Sequence, residues 1–361
     1  MEARRRWGFR LVDAMVAIGV LAVVLALILP LVGISGEEAR RQRCMDNLRA
    51  IGLAVNHYIS AVDALPPSGT RDDDPGGLQR QGIGPRQNAW SMKARILSYL
   101  DGAKGSPLVD SINFQLDPTW DHRGGPEPAN ATIRDARIAV FLCPSDPQTF
   151  ASAPPSLISG APSSYPNNVG NNRRFNGWVP DGPAYFPGWD RQVGLTLTLA
   201  NISDGTNNTA IFSEAVLGDG LPPARSADGL GMVYVLPGFD PNANLGTGIQ
   251  GEYMNAQNCQ QNFRTREFTW KGERWALQDP GRGGFYSHSM PPNKRSCSYW
   301  GGGIGSDNFE TMISASSYHP GGVNVLYMDG SVRFVTSTIQ YQTWYTISTR
   351  DGGEVITIDR L

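Results

Sequence analysis

The chain has 361 residues, with 31 lysines and arginines against 33 aspartates and glutamates, for a net charge of −2. A nucleic-acid-binding protein would show a basic excess, so this balance argues against that class. Glycine (42 residues) and proline (26 residues) are abundant, whereas charged residues make up only 18% of the chain. This composition is typical of a chain rich in loops and strands.

The N-terminus has the pattern of a membrane helix. Three arginines at positions 4–6 precede Gly8 and Phe9, and the 21 residues 14–34, which follow Asp13, carry no charge. At about 1.5 Å per residue, a helix of this length spans a hydrocarbon core of roughly 30 Å. Because basic residues stay on the cytoplasmic side, we expect a single-pass protein of the cytoplasmic (inner) membrane with its N-terminus inside and its C-terminal domain extracytoplasmic.

A membrane anchor alone does not require Asp13. An unpaired carboxylate costs about 2.5–3.5 kcal/mol in the centre of a membrane helix. Near a helix N-terminus the dipole stabilises it, and a positive partner stabilises it further. Cleavage between Gly8 and Phe9 would create such a partner, the new α-amino group of a neighbouring copy.

These residues resemble the N-terminus of a type IV prepilin, which has a short basic leader, Gly, Phe, an acidic residue at the fifth mature position and an apolar helix. The resemblance implies that a prepilin peptidase removes residues 1–8 and methylates Phe9. The chain departs from the family where it has Asp13 in place of Glu and Arg10 in place of Thr. An ordinary signal anchor and a secretory signal peptide remain as alternatives, although the latter would have a shorter apolar core.

Residues 35–65 predict an amphipathic continuation of the same helix, and residues 66–361 an extracytoplasmic domain. Pro66-Pro67 ends the helix, which should run over roughly residues 11–62. Steps of three and four place six residues on one face that packs on the domain: Cys44, Leu48, Ile51, Val55, Tyr58 and Val62.

The rest of the chain predicts short elements separated by long loops. Asp329-Gly330, flanked by apolar alternation, predicts a β-hairpin of residues 322–327 and 332–335. Two helical segments are predicted, over residues 90–100 and 341–345. Further strands are predicted over residues 138–142, 195–202, 210–215, 232–236 and 355–358, whereas 66–88 and 241–251 are predicted to be loops.

Four cysteines, Cys44, Cys143, Cys259 and Cys297, permit two disulfides in an oxidising compartment. Three connectivities are open; one of them, Cys44–Cys143 with Cys259–Cys297, would tie the helix to the domain. Four reduced, buried thiols are the alternative. The cysteines lie far apart in sequence with no Cys-x-x-Cys pair, which argues against a zinc cluster.

Six motifs in order extend the resemblance over nearly the whole chain. The chain is similar to a large bacterial pilin-like family of unknown function whose C-terminal motif is His, nine residues, then Asp-Gly. The matching segments are residues 43–48 with 51–54, 141–146, 164–165, 204–209 with Glu214, 319–322 and 329–332. The resemblance implies an α+β, pilin-like fold, in which a long N-terminal helix, partly transmembrane, packs on an antiparallel sheet with large loop insertions.

Candidate chemistry is sparse. His319 and Asp329 lie at opposite ends of the first hairpin strand, so we expect Asp329, with Gly330, to form the turn and His319 to hydrogen-bond locally. The sequence contains neither the Gly-x-Ser-x-Gly nor the His-Glu-x-x-His pattern. The oxygen-rich group Asp204, Thr206, Asn208 and Glu214 has the donor types of a Ca²⁺ site, but an Asx-turn explains it more simply.

The sequence therefore predicts a structural protein and not an enzyme, with no cofactor beyond that candidate Ca²⁺. Its expected partners are a prepilin peptidase, the assembly machinery of a type IV pilus or type II secretion system, the membrane and further copies of itself. The alternative is a membrane-anchored protein that binds a glycan or other ligand without polymerising, suggested by the nine tryptophans. An anchored hydrolase that uses His319 is a third hypothesis and would require an acid or nucleophile within about 3 Å of the imidazole.

Overall fold

The computed structural model describes residues 11–68, 90–100, 107–114, 118, 129–150, 160–171, 180–185, 196–221, 229–235, 248–262, 265–278, 281–298 and 311–353. The described residues form a mixture of helix and sheet. The helices are α1 (Leu11–Val62), α2 (Met92–Ile96), α3 (Pro107–Asp110), α4 (Ala131–Arg134), α5 (Gly248–Asn262) and α6 (Tyr341–Thr346).

The described strands form two sheets. They are β1 (Asn167–Asn168), β2 (Ala210–Ser213), β3 (Val233–Val235), β4 (Thr265–Phe268), β5 (Phe285–Tyr286), β6 (Ser296–Ser298), β7 (Thr311–Met312), β8 (Gly322–Tyr327) and β9 (Val332–Thr336). One sheet has the order β5-β1-β2-β8-β9 and the other β4-β3-β6-β7.

Both sheets are mixed, which corrects the expectation of an antiparallel sheet. Most neighbouring strands are antiparallel, but β1 pairs with β5 and β3 pairs with β6 in parallel. A parallel pair needs a long crossover connection. The long segments between these strands supply that connection, so the loops of this chain allow pairings that a hairpin meander would not.

The second half of α1 carries the main contact between the helix and the rest of the chain. Cys44, Leu48, Ile51, Val55 and Ile59 are buried in one hydrophobic cluster. This face packs on β8 and on the 3₁₀ turns at 97–99 and 139–141. Their steps of four, three, four and four residues make a continuous helical stripe.

The end of the stripe differs from the prediction. Tyr58 is half-buried against the cluster, and Val62 is 47% exposed, while Ile59 takes the buried place. The reason is that α1 ends at Val62 and the chain turns at Asp63, which has a positive φ of 56°.

Several predicted elements are confirmed. They are the helix over 11–62, the helical segment after Trp90, the strands at 210–213 and 233–235, the hairpin β8–β9 and the last helical turn, α6. The hairpin pairs Gly322 with Thr336 and Leu326 with Val332.

Three predictions are wrong. Residues 139–141 and 199–201 form 3₁₀ turns where strands were expected. A short apolar run does not by itself distinguish the two conformations, and at 199–201 the backbone N–H of Thr198 donates to the Asn201 side chain at 2.9 Å and closes the turn. Helix α5 begins at Gly248 inside the predicted Asn/Gly-rich loop. Most of the predicted loop at 66–88, and the predicted strand at 355–358, lie outside the described residues.

Within the part of the chain that the structure describes, no helix is long and apolar enough to cross a membrane. The side chains of residues 24–35 lie outside the described ones, although α1 runs through them. The membrane span over residues 9–34 therefore stays a prediction.

Two buried lysines hold loop carbonyls inside the fold. Nζ of Lys93 donates to the backbone oxygens of Tyr165 and Gly283 at 3.1 and 2.5 Å. Nζ of Lys271 donates to the oxygens of Leu230 and Ser314 at 3.0 and 3.3 Å, and to the Ser316 hydroxyl at 2.9 Å. Burial lowers the pKa of each lysine to about 7.

Lys271→Met should change how stability depends on pH. The pKa of Lys271 is about 7 in the folded chain against an ordinary 10.5, so between these values the unfolded chain binds more protons. The free energy of unfolding of the wild type should therefore rise relative to the variant from pH 7 to 9, by up to about 1.4 kcal/mol per pH unit. Denaturant titrations at several pH values measure this difference, with Lys294→Met, at an exposed lysine, as the matched control.

Gly52 lies where α1 packs closely on the hairpin. A Cβ there would lie 2.8 Å from Cδ1 of Leu326 and 3.5 Å from Cα of Gly330. Gly52→Val should therefore lower the free energy of unfolding by about 1–3 kcal/mol through overpacking. At Gly36, in the same helix, the nearest atom to such a Cβ is an Arg40 nitrogen at 3.8 Å. Gly36→Val is the matched control, and equal stability of the two variants in denaturant titrations would contradict the packing argument.

Candidate functional site

A buried histidine joins carboxylates from distant parts of the chain. Nδ1 of His319 lies 2.8 Å from Oε1 of Glu37, and Nε2 lies 3.2 Å from Oε1 of Glu214. The side chains of His319 and Glu214 are 0% and 2% exposed, whereas that of Glu37 is 25% exposed. The imidazole is thus held between one carboxylate near the surface and one in the interior.

Each member comes from a different element. Glu37 lies on α1, seven residues before Cys44, and Glu214 directly follows β2. His319 precedes β8 and is separated from it by a turn in which Gly321 has a φ of +85°. Because β2 and β8 are paired, the ends that carry Glu214 and His319 meet.

The sheet fixes the inner carboxylate. Oε2 of Glu214 accepts the backbone N–H of Asn324 at 2.8 Å, and Oε1 accepts the side-chain amide of the same residue at 2.9 Å. On the outer side, Oε1 of Glu37 accepts the Ser145 hydroxyl at 3.0 Å and Oε2 accepts Nε of Arg40 at 2.8 Å. Both carboxylates are therefore oriented by further hydrogen bonds.

A disulfide completes the cluster. The structure joins Cys44 to Cys143, and Cys259 to Cys297, so of the three connectivities it has the one that ties the helix to the domain. Sγ of Cys143 lies 3.7 Å from Nε2 of His319. Cys44, Cys143, Glu214 and His319 each offer one ligand atom, and these atoms lie within 4.8 Å of one another. Spacing in the sequence argued against a metal cluster, but folding brings these four groups together.

The cluster favours a positive imidazole. Burial disfavours the charged form, but the hydrogen bonds and charges of Glu214 and Glu37 outweigh it, so the pKa of His319 is raised above its usual value. Burial also raises the pKa of Glu37, and the hydrogen bonds from His319, Arg40 and Ser145 together lower it below its usual value.

The geometry bears on the hydrolase hypothesis. An acid does lie within about 3 Å of His319, as that hypothesis required. However, the imidazole has no exposed surface, and the nearest sulfur belongs to a disulfide. The junction between α1 and the domain consists of Glu37, His319, Glu214 and the Cys44–Cys143 disulfide. A substrate could not reach the histidine without opening this junction, so the arrangement favours a structural role.

His319 and Asp329 do not act together. Oδ1 of Asp329 accepts the backbone N–H of Ser331 at 2.8 Å within the exposed hairpin turn, where Gly330 has a φ of +87°. The prediction that Asp329 supplies the turn is confirmed. The prediction that His319 hydrogen-bonds locally is confirmed for its backbone N–H, which donates to the Ser317 hydroxyl at 2.9 Å. It is wrong for the ring, which contacts side chains 282 and 105 residues away in the sequence.

The oxygen-rich group suggested for Ca²⁺ is divided between two places. The Asp204 carboxylate accepts the Thr349 hydroxyl and the backbone N–H groups of Gly352 and Gly353 at 2.8–2.9 Å. The Asn208 amide donates to the Asp204 carbonyl at 3.0 Å. In an Asx-turn a side-chain oxygen accepts a nearby backbone N–H instead, so this contact does not confirm the Asx-turn interpretation. The backbone carbonyl of Thr206 accepts the N–H of Asp329. Glu214 instead belongs to the His319 cluster, so the four residues do not form one calcium site.

The processing residues remain outside this description. Gly8 and Phe9 lie outside the described residues, and the side chain of Asp13 does so as well.

Sequence reasoning missed Glu37. It lies one heptad before Cys44, and extending the buried stripe by that interval would have placed it on the packing face.

Glu37→Gln should weaken the junction. The variant loses a charged hydrogen bond to a buried imidazole, so we expect a fall of about 1–3 kcal/mol in the free energy of unfolding. Glu38→Gln is the matched control, since Glu38 is 66% exposed and makes an ion pair with Arg41 at 3.4 Å, and it should cost less than about 0.5 kcal/mol. Denaturant titration of the disulfide-bonded chain measures both free energies of unfolding. A similar loss in the two variants would show that Glu37 does not stabilise the junction.

Comparison with known proteins identifies a family for the chain. A family model described as "Protein of unknown function (DUF1559)" matches residues 36–342. No curated protein matches, and no solved structure matches. The matched range begins after the apolar run and includes Glu37, both cysteines of the first disulfide, Glu214 and His319. Because it covers most of the sequence, the chain belongs to the DUF1559 family of bacterial proteins.

Proposed function

We propose that this protein is a structural, pilin-like component of the bacterial envelope. A prepilin peptidase cuts it after Gly8 and methylates Phe9, and the protein remains in the cytoplasmic membrane with its large domain outside. It then associates through α1 into a pilus or pseudopilus of the type IV or type II secretion kind. The proposal rests on the sequence of the N-terminus and on one structural observation, the uncovered apolar part of α1.

The first turns of α1 expose large apolar side chains to an extent unusual for a soluble domain. Eight of them have exposed fractions between 58% and 75%. They are Leu11, Val12, Met15, Val16, Ile18, Val20, Leu21 and Val23. Contiguous apolar surface of this kind marks a membrane or protein contact.

The exposed residues surround the helix. At 100° per residue, their positions fall on every side of α1 and do not form one stripe. A single partner surface would cover one face only. Lipid before assembly and a bundle of neighbouring helices after assembly would each cover the whole circumference, which supports a filament subunit.

The disulfides and the junction support the same proposal. Disulfides persist in oxidising compartments, which agrees with an extracytoplasmic domain. Cys44–Cys143 and the Glu37–His319 contact attach the domain to α1 just beyond the apolar part. In a bundle of helices the subunit would be held by α1 alone. A firm attachment would then make the domain move together with the helix.

Asp13→Ala should block assembly while leaving cleavage intact, because the variant lacks the carboxylate that would pair with a neighbour's N-terminal amine. Crosslinking of intact cells should give a ladder of oligomers for the wild type and monomer for the variant. Asp46→Ala is the matched control; Asp46 lies on the same helix, is 58% exposed and pairs with Arg49. Ladders from Asp13→Ala would contradict the assembly mechanism, and monomer from the wild type would favour the non-polymerising binding protein.

Mass spectrometry of the mature protein tests processing separately. We expect a chain that begins at Phe9 and carries one N-methyl group. Recovery of the membrane protein with Met1 still present would overturn the prepilin interpretation.

A further inference from the structure

The cluster beneath Glu37 has the donor set of a transition-metal site. It combines two cysteine sulfurs, one imidazole nitrogen and one carboxylate oxygen, which are the three ligand types that zinc takes in proteins. The four residues are buried. In the described structure, the two sulfurs are bonded to each other, so they are ligands only after reduction.

The spacing of the donors suits a tetrahedral ion. With metal–ligand bonds of about 2.0–2.3 Å, ligand atoms of a tetrahedral zinc site lie about 3.3–3.8 Å apart. Nε2 of His319 lies 3.7 Å from Sγ of Cys143 and 3.2 Å from Oε1 of Glu214. All the ligand atoms lie within 4.8 Å of one another, so small side-chain movements bring the set to a common centre.

The surroundings have the features of a second coordination shell. Histidine ligands in metal sites usually hold a carboxylate with the other ring nitrogen, which orients the ring. Here Glu37 holds Nδ1 of His319 at 2.8 Å and leaves Nε2 facing the sulfurs. The carboxylate ligand is itself oriented by two hydrogen bonds from Asn324.

Glu37 connects the cluster to the surface. Its side chain is 25% exposed and contacts the fully buried His319 directly. The entry path that a metal site requires would begin at this side chain.

We propose that Cys44, Cys143, Glu214 and His319 form a zinc-type metal site that excludes the Cys44–Cys143 disulfide. Reduction by a phosphine consumes one water and two electrons: the S–S bond breaks, the phosphorus becomes a phosphine oxide, and two thiols form. Binding of Zn²⁺ then releases the two thiol protons and the Nε2 proton of the charged imidazole. It forms two metal–sulfur bonds, one bond to Nε2 of His319 and one to a carboxylate oxygen of Glu214. The junction between α1 and the domain is thus held either by a disulfide or by a metal ion. The inference does not depend on filament assembly.

The second disulfide provides an internal control. Sγ of Cys259 lies 3.5 Å from the backbone oxygen of Arg295 and 3.5 Å from the amide nitrogen of Gln260. Sγ of Cys297 lies 3.5 Å from the backbone oxygen of Cys259. These neighbours are carbonyls and an amide. Within the part of the chain that the structure describes, reduction of this pair offers two sulfurs but not the imidazole and carboxylate of the first.

The test uses the full-length chain in detergent with Cys259→Ser and Cys297→Ser, so that two thiols remain. Reduced with a phosphine and dialysed against Zn²⁺, it should retain one ion per chain, and with Co²⁺ it should show the sulfur-to-cobalt charge-transfer bands of a tetrahedral thiolate site. The oxidised protein should retain none. The complementary variant, Cys44→Ser with Cys143→Ser, should also retain none after reduction.

Two further variants locate the ligands. In the reduced background, His319→Asn should abolish the cobalt bands, and Glu37→Gln should weaken metal affinity about 10–100-fold, as loss of an orienting partner does. Circular dichroism monitors folding of each variant. Absence of bound metal in the folded, reduced protein would overturn the proposal, as would equal binding by the His319→Asn variant or by the oxidised protein.

Discussion

The attachment of α1 to the domain is the constraint on which the rest of the structure depends. Among the helix residues whose side chains the structure describes, the buried apolar face runs from Cys44 to Ile59, within a helix of 52 residues. Apolar packing supplies most of this contact and has no direction of its own. The disulfide and the His319 cluster lie at the N-terminal end of the buried face, where a further charged contact fixes the position of the helix.

The interior combines that apolar packing with many side-chain donors to backbone carbonyls. Strands in this chain are short, so loop carbonyls must find other partners when they are buried. The Lys93 and Lys271 amines, the Asn168 amide and the indole N–H groups of Trp275 and Trp344 provide them. This explains part of the tryptophan content that suggested ligand binding, since Trp90, Trp275 and Trp344 are fully buried. Their indoles are committed to the core.

Local patterns predicted the elements that depend on neighbouring residues. The span of α1, the hairpin at Asp329-Gly330 and the final helix each follow from a periodicity or a turn signal within one segment. The same reasoning failed at 139–141 and 199–201, where a short apolar run does not distinguish a strand from a 3₁₀ turn, and at α5, whose Gln- and Asn-rich sequence has a weak apolar face. Burial of Phe141 is compatible with either conformation, whereas residues 199–201 are exposed and a local hydrogen bond between Thr198 and Asn201 closes their turn.

The sequence by itself determined a long helix with an apolar first half, the hairpin, an even set of four cysteines and the match to the DUF1559 family. The tertiary structure decided which cysteines pair, placed Glu37 and Glu214 on either side of His319, and separated Glu214 from Asp204. These contacts join residues between 38 and 282 positions apart. No local periodicity encodes such a distance, since it depends on how β2, β8 and α1 come together in the folded chain.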